Sequence, residues 1–187
     1  MTRTLRPGLV LDRTGAIATF RFGDGVVTDL VVKGNAVWAN KDMARGIAVV
    51  PEGTGGYVVD KYGILHALKI GSGPEPALPT DTPSWPGQDI ARGTALLPNG
   101  VGGYVLDEWS GLHEFGGAPK AEAGVPSWPG MDAARGVALA SDGSGGWVLD
   151  LFGNLYPFGI GANPAPSATV GGPKWSTATA RGVASLP

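Results

Sequence analysis

The triplet Ala-Arg-Gly occurs four times, beginning at Ala44, Ala91, Ala134 and Ala180, and alternates with an aliphatic-aliphatic-Asp triplet that ends at Asp12, Asp60, Asp107 and Asp150. Successive Ala-Arg-Gly copies are 47, 43 and 46 residues apart. A recurring unit of this length cannot bury its apolar faces alone. It must stack on its neighbours, and the period lies in the range of propeller blades.

Each repeat has the same internal order. Trp38, Trp85 and Trp128 stand seven residues before Arg45, Arg92 and Arg135, with Asp42, Asp89 and Asp132 three before the same arginines. The fourth copy is degenerate: Trp175 is one residue closer to Arg181, and the Asp is missing. After each arginine come a short apolar stretch, a turn such as Pro51-Glu52-Gly53 or Pro98-Asn99-Gly100, a second apolar stretch and the repeat Asp. A glycine follows (Gly15, Gly63, Gly111, Gly153), then Ile17, Leu65, Leu112 or Leu155. Asp supplies a side-chain acceptor and Gly a positive φ, so each Asp-to-Gly segment is expected to be a tight hairpin. No sustained 3.6-residue apolar period is present, and 32 glycines with 16 prolines oppose helices. The chain is expected to be all-β, with at least three antiparallel strands per repeat.

The phase of the repeat sets the expected architecture. Ala180 to Pro187 supplies only a first strand, and about Arg6 to Phe22 only a second and third. Units 44–90, 91–133 and 134–179, with 180–187 joined to 1–43, divide the 187 residues without remainder. Pairing the two ends would remove the open edges of the outermost sheets. The expectation is one domain, 1–187, folded as a small four-bladed β-propeller whose closing blade combines the C-terminal strand with the N-terminal ones. Small residues at Ala44, Gly46 and Ala48, and at the equivalent positions, are placed by strand alternation on one face of the innermost strand. Segments 69–84, 116–127 and 159–174 are expected to form short outer strands and loops, and Val26 to Val32 an outer strand of the closing blade.

Composition narrows the function. A net charge of −2 gives no electrostatic footprint for nucleic acid. No apolar run approaches the roughly 18 residues of a membrane span. Met1 to Pro7 has charge but no following apolar segment, so no secretory signal is expected. The absence of cysteine removes disulfides and thiolate chemistry.

The repeated charges allow two readings. Arg45, Arg92, Arg135 and Arg181 could ring a channel mouth and bind an anion. Alternatively each is structural, paired with the strand-end set Asp12, Asp60, Asp107, Asp150 or with the pre-strand set Asp42, Asp89, Asp132. The structural reading is favoured, because framework must recur in every repeat whereas a site need not. The four repeat tryptophans are expected to be buried between repeats rather than to form an exposed platform. Tyr62, Trp109 and Phe152 fall in the hairpin turns, where exposed aromatics serve recognition, and are the candidate ligand-binding residues. His66 and His113 follow their Asp by six residues. The equivalent positions hold Tyr156 and Ala18, so no shared metal is expected, and no cofactor. No motif pairs two carboxylates, and no nucleophile elbow or phosphate loop is present. The chain is therefore expected not to be an enzyme.

The blocks Ala91-Arg92-Gly93-x-Ala95-x2-Pro98-x-Gly100-x-Gly102-Gly103-Tyr104-Val105-Leu106-Asp107 and Gly111-Leu112-His113-x-Phe115-Gly116 resemble the β-propeller repeats of actinobacterial proteins and their phages. The likeness spans essentially the whole chain, and departs at the missing Asp before Ala180 and in the N-terminal strand. It implies a non-enzymatic virion protein at the tail or its tip, in contact with other virion proteins or a host-envelope glycan. The alternative it leaves is a carbohydrate- or protein-binding propeller module of an actinobacterium, cytoplasmic, secreted or at the cell surface.

Overall fold

The structure, a computed structural model, describes residues 6–22, 31–167 and 174–184. It is all-β, with four antiparallel sheets of two to four strands. The first pairs β1 (Arg6–Leu11) with β2 (Ile17–Phe22). The second contains β3 (Val32–Lys33), β4 (Ala44–Val49), β5 (Gly55–Asp60) and β6 (Leu65–Ile70), in the order β3-β6-β5-β4. The third is β7 (Ala91–Leu96), β8 (Gly103–Asp107) and β9 (Leu112–Phe115). The fourth is β10 (Ala134–Leu139), β11 (Gly145–Asp150) and β12 (Leu155–Gly159).

The sheets stack face to face through three apolar clusters, which is how repeats too small for a private core are stabilised. Leu9, Leu11 and Ile17 of the first sheet meet Ala44, Val58, Leu68 and Ile70 of the second. On its other face the second sheet presents Tyr57, Val59, Leu65 and Ala67 to Ala91, Val105 and Phe115 of the third. Tyr104, Leu106, Ala95 and Leu97 of the third sheet then pack on Ala134, Val137, Val148 and Phe158 of the fourth. The middle strand of each sheet thus alternates faces, as period-2 geometry requires.

The first strand of each triplet does not alternate so simply. The register shifts by one residue between Ala44 and Gly46, between Ala91 and Gly93, and between Ala134 and Gly136. A β-bulge at each arginine puts Ala91 on the face toward the preceding sheet and Ala95 on the face toward the next. The expectation that Ala44, Gly46 and Ala48 share one face is therefore corrected, because the bulge moves the leading alanine to the other side. The glycines form a series of close approaches: a Cβ on Gly46 would lie 3.1 Å from Gly93 Cα, one on Gly93 3.7 Å from Gly136 Cα, and one on Gly136 3.3 Å from Gly182 Cα.

The Asp-to-Gly segments are hairpin turns. Asp60 Oδ1 accepts the N–H groups of Tyr62 and Ile64, and Asp12, Asp107 and Asp150 accept the equivalent pairs in their own turns. Gly15, Gly63 and Gly153 have φ of +83°, +84° and +88°. In the remaining turn the left-handed residue is Ser110, at φ +77°, rather than Gly111. The turn fixes that conformation three residues after the Asp. Ser110 Oγ, buried and bonded to the carbonyls of Trp109 and Pro126, supports it.

Outer strands are short. Val32 and Lys33 pair with Ile70 and Lys69, so this outer strand belongs to the second sheet and not to the closing unit with β1 and β2. The linkers before β4 and before β10 each reach the far edge of the sheet that follows, the first through β3 on β6 and the second through the bridge from Ala121 to Ile160. The rest of the predicted strand, residues 26–30, lies outside the described residues. Residues 180–184 carry no strand, and 185–187 lie outside the described residues.

Candidate functional site

One edge of the stack carries nearly all the chemistry singled out in the sequence. Here each hairpin turn clamps the next repeat through its backbone. The carbonyls of Arg13, Lys61 and Glu108 accept the N–H groups of residues 43 and 44, 90 and 91, and 133 and 134, and Leu151 O accepts those of Thr179 and Ala180. One residue further on, the carbonyls of Thr14, Tyr62, Trp109 and Phe152 accept the N–H groups of Trp38, Trp85, Trp128 and Trp175. The Trp and the Ala-Arg-Gly of every repeat therefore hang on adjacent carbonyls of one turn.

Clamping brings the arginines to the pre-strand aspartates. Arg45 forms a bidentate pair with Asp89, three residues before the next repeat arginine, Nε to Oδ1 at 3.1 Å and Nη2 to Oδ2 at 2.6 Å, and also bonds Asp42, three residues before itself, at 2.8 Å. Arg92 repeats the pattern with Asp132 at 2.9 Å and Asp89 at 3.1 Å, and adds Glu108 at 2.7 Å. Burial lowers the pKa of Arg45, but the bonds to Asp89 and Asp42 outweigh it and leave the value raised. Asp89 and Asp132 are held below the ordinary carboxylate value: burial raises them, and the arginine pairs more than reverse that. Glu108 is raised, by burial first and then by Asp132, Asp107 and Asp89 against the opposing pull of Arg92.

The strand-end aspartates have a different task. Beyond capping their turns, Asp60 and Asp107 hydrogen-bond His66 and His113 at 3.0 and 2.9 Å, and Asp150 accepts from Asn154 Nδ2 and Tyr156. The rings so held receive the tryptophans edge-on: Trp38 on His66, Trp85 on His113 and Trp128 on Tyr156, at centroid separations of 4.9, 4.8 and 5.1 Å. These three tryptophans are half-buried, whereas Trp175 is 44% exposed. Among the described residues no cluster of three or more His, Asp or Glu could hold a metal ion.

No protein-family model, curated protein or solved structure matches the chain.

The predicted turn aromatics divide. Trp109 and Phe152 are 37% and 41% exposed, while Tyr62 is half-buried with Lys61 Nζ 5.2 Å above its ring. At the opposite edge lies an open depression of about 500 Å³, bounded by Leu97, Asn99, Asp142, Ile160 and Asn163. Its polar groups are engaged in their own turns: Asn99 Oδ1 accepts from Val101 and Gly102, Asp142 Oδ1 from Ser144, and Asn163 Nδ2 donates to Ile160 O. The exposed aromatics and the arginine–aspartate pairs thus lie at the hairpin-turn edge. Sequence reasoning missed Glu108 and the exposure of Trp175. The signals were the residue after the repeat Asp, which varies as Arg13, Lys61, Glu108 and Leu151, and the shortened fourth copy.

Proposed function

We propose that the chain is a non-enzymatic recognition and structural protein, a four-bladed β-propeller of a phage virion. It sits at the tail or tail tip and contacts other virion proteins or a host-envelope glycan through its hairpin-turn edge. The observation that carries the recognition role is the exposure of Trp109 and Phe152 on turns whose backbones are locked by the clamps described above. Rigidly held aromatics bind at low conformational cost. The repeat aspartates, with Arg45, Arg92 and Arg135, are engaged in capping and pairing, which favours scaffold over catalysis. The virion assignment rests on the resemblance of the repeat blocks.

Closure of the ring is supported by one set of equivalent valines. Val58, Val105 and Val148 are fully buried, each facing the preceding repeat, but Val10 is 54% exposed. Pairing Ala180 to Pro187 along β1 in the register of its counterparts would set Val183 opposite Val10, as Ile47 is opposite Val58. It would also place Gly182, whose Cβ would meet nothing within 4 Å among the described residues, against Gly46.

A Val10→Cys, Val183→Cys double variant should form a disulfide within one chain under mild oxidation, since paired strands hold Cβ atoms about 4.5–5.5 Å apart. A covalent dimer instead would show that the ends pair between molecules. For function, labelled protein should bind actinobacterial cells or their purified envelope polysaccharides, and Trp109→Ala should weaken binding by roughly tenfold or more. Failure to bind any of them would remove the host-surface role and leave the structural one.

A further inference from the structure

The third junction, between the third and fourth Ala-Arg-Gly copies, lacks what the two before it share. At the earlier junctions an Asp three residues before the arginine accepts from the arginines of two repeats. Asp89 takes Arg45 and Arg92, and Asp132 takes Arg92 and Arg135. Counting back from Arg181, that position is Ala178. Among the described residues Arg135 consequently bonds only backward, to Asp132 and the carbonyl of Ala134. Its Nε, which in Arg45 and Arg92 grips the next Asp, has no acceptor among the described residues. The acid that assists Arg92, Glu108, is replaced at the equivalent place by Leu151. Arg181 donates, among the described residues, only to Ala180 O.

This charge vacancy coincides with an aromatic one. Trp175 is held to Phe152 O while Ala180 is held to Leu151 O, so the indole and Arg181 rise from adjacent carbonyls of one turn. The ring partner that His66, His113 and Tyr156 give the other tryptophans is Ala18 by the same count. Trp175 and Phe152 stay 44% and 41% exposed. The Arg135 side chain is only 19% exposed, so a bond to it forms in a partly dry setting.

We propose that this junction binds a carboxylate-bearing sugar, a uronate. The carboxylate occupies the place left by the missing Asp, accepting from Arg135 Nε and the Arg181 guanidinium, and the apolar face of the sugar lies on Trp175 beside Phe152. The guanidinium fork suits a planar carboxylate, and a flat exposed indole suits a sugar ring better than an acidic peptide. The inference rests on the reading of this edge as a glycan-recognition surface.

The test titrates trigalacturonate and its methyl ester into the intact protein, by calorimetry and by the Arg Nε–Hε resonances. The acid should bind and shift the Arg135 resonance, with the ester weaker by roughly ten- to hundredfold, the range expected for a charge-assisted bond. Ala178→Asp should fill the site and abolish the response to the acid without lowering the unfolding temperature. Arg135→Lys, which keeps the charge but loses the fork, should also weaken binding. Equal binding of acid and ester, unchanged binding by Ala178→Asp, or no binding of the acid would overturn the proposal. A Glu-Glu-Glu peptide that bound as tightly as trigalacturonate would overturn it in favour of an acidic peptide. If cell binding sensitive to Trp109→Ala persists in such a case, only the uronate site fails; if cells are not bound at all, the recognition reading fails as well.

Discussion

Gly103→Ala should be among the most destabilising single-methyl additions available in this chain. Gly103 lies opposite Leu96 where β8 crosses β7, and a Cβ there would fall 2.2 Å from the carbonyl oxygen of Ala95 and 2.7 Å from the Phe115 ring. The first contact is with backbone, so no rotamer change relieves it and the two strands would have to separate. Gly56 and Gly146 occupy the same place in their sheets, with Ala48 O at 2.1 Å and Ala138 O at 2.3 Å. Overpacking a core costs about 1–3 kcal/mol where side chains can adjust, and roughly 3–5 kcal/mol is expected where a strand must move. For a domain of this size that lowers the unfolding midpoint by roughly 6–20 °C. Gly93→Ala is the control: its nearest neighbour would be Gly136 Cα at 3.7 Å, an ordinary contact, and the loss should stay below about 1 kcal/mol. Thermal unfolding of the two variants side by side checks the ordering. Equal midpoints would mean that the β7–β8 approach is looser than described.

These glycines show what kind of information the sequence carries openly. The turn at Asp60–Gly63 was legible because its causes are local: a carboxylate reaches the N–H groups two and four residues on, and glycine accepts the left-handed conformation. The repeat period likewise announces sheets stacked in series. The bulge at Arg45 was not legible, since an inserted residue in a strand has no composition of its own and alternation was the only rule at hand. The choice between the two aspartate sets was equally hidden, because it depends on which carboxylate the neighbouring repeat brings within reach, over a separation of 44 residues for Arg45 and Asp89. Val32 read as the end of a strand of the N-terminal unit, yet only the pairing of Val32 and Lys33 with Ile70 and Lys69 reveals the sheet to which it belongs. At the turn edge, aromatic residue types pointed to Trp109 and Phe152. Trp175 became distinct only when its three counterparts were found against His66, His113 and Tyr156.

Asp107→Ala should be nearly as damaging, by a different route. The carboxylate is buried and serves three donors: Trp109 N–H at 2.8 Å, Gly111 N–H at 2.7 Å and His113 Nε2 at 2.9 Å. Alanine leaves the turn amides and the imidazole without their acceptor in a place with little room for water. Breaking a buried, charge-assisted network of this kind costs about 3–5 kcal/mol, which corresponds to a fall of roughly 6–20 °C in the unfolding midpoint. Asp12→Ala removes the same two turn bonds, to Thr14 and Ala16, but at an exposed residue where water can substitute, so a much smaller loss is expected. Asp107→Asn keeps an oxygen for the turn and can answer His113 with its amide, and should fall between the two. The larger loss should reach the binding edge too. The turn that Asp107 caps presents Trp109, and the Trp109 carbonyl holds Trp128, which in turn packs on Tyr156 of the next sheet. A midpoint for Asp107→Ala within about 2 °C of that for Asp12→Ala, a difference of under about 1 kcal/mol, would show that solvent reaches the buried turn. The inter-repeat clamp would then depend on backbone bonds alone.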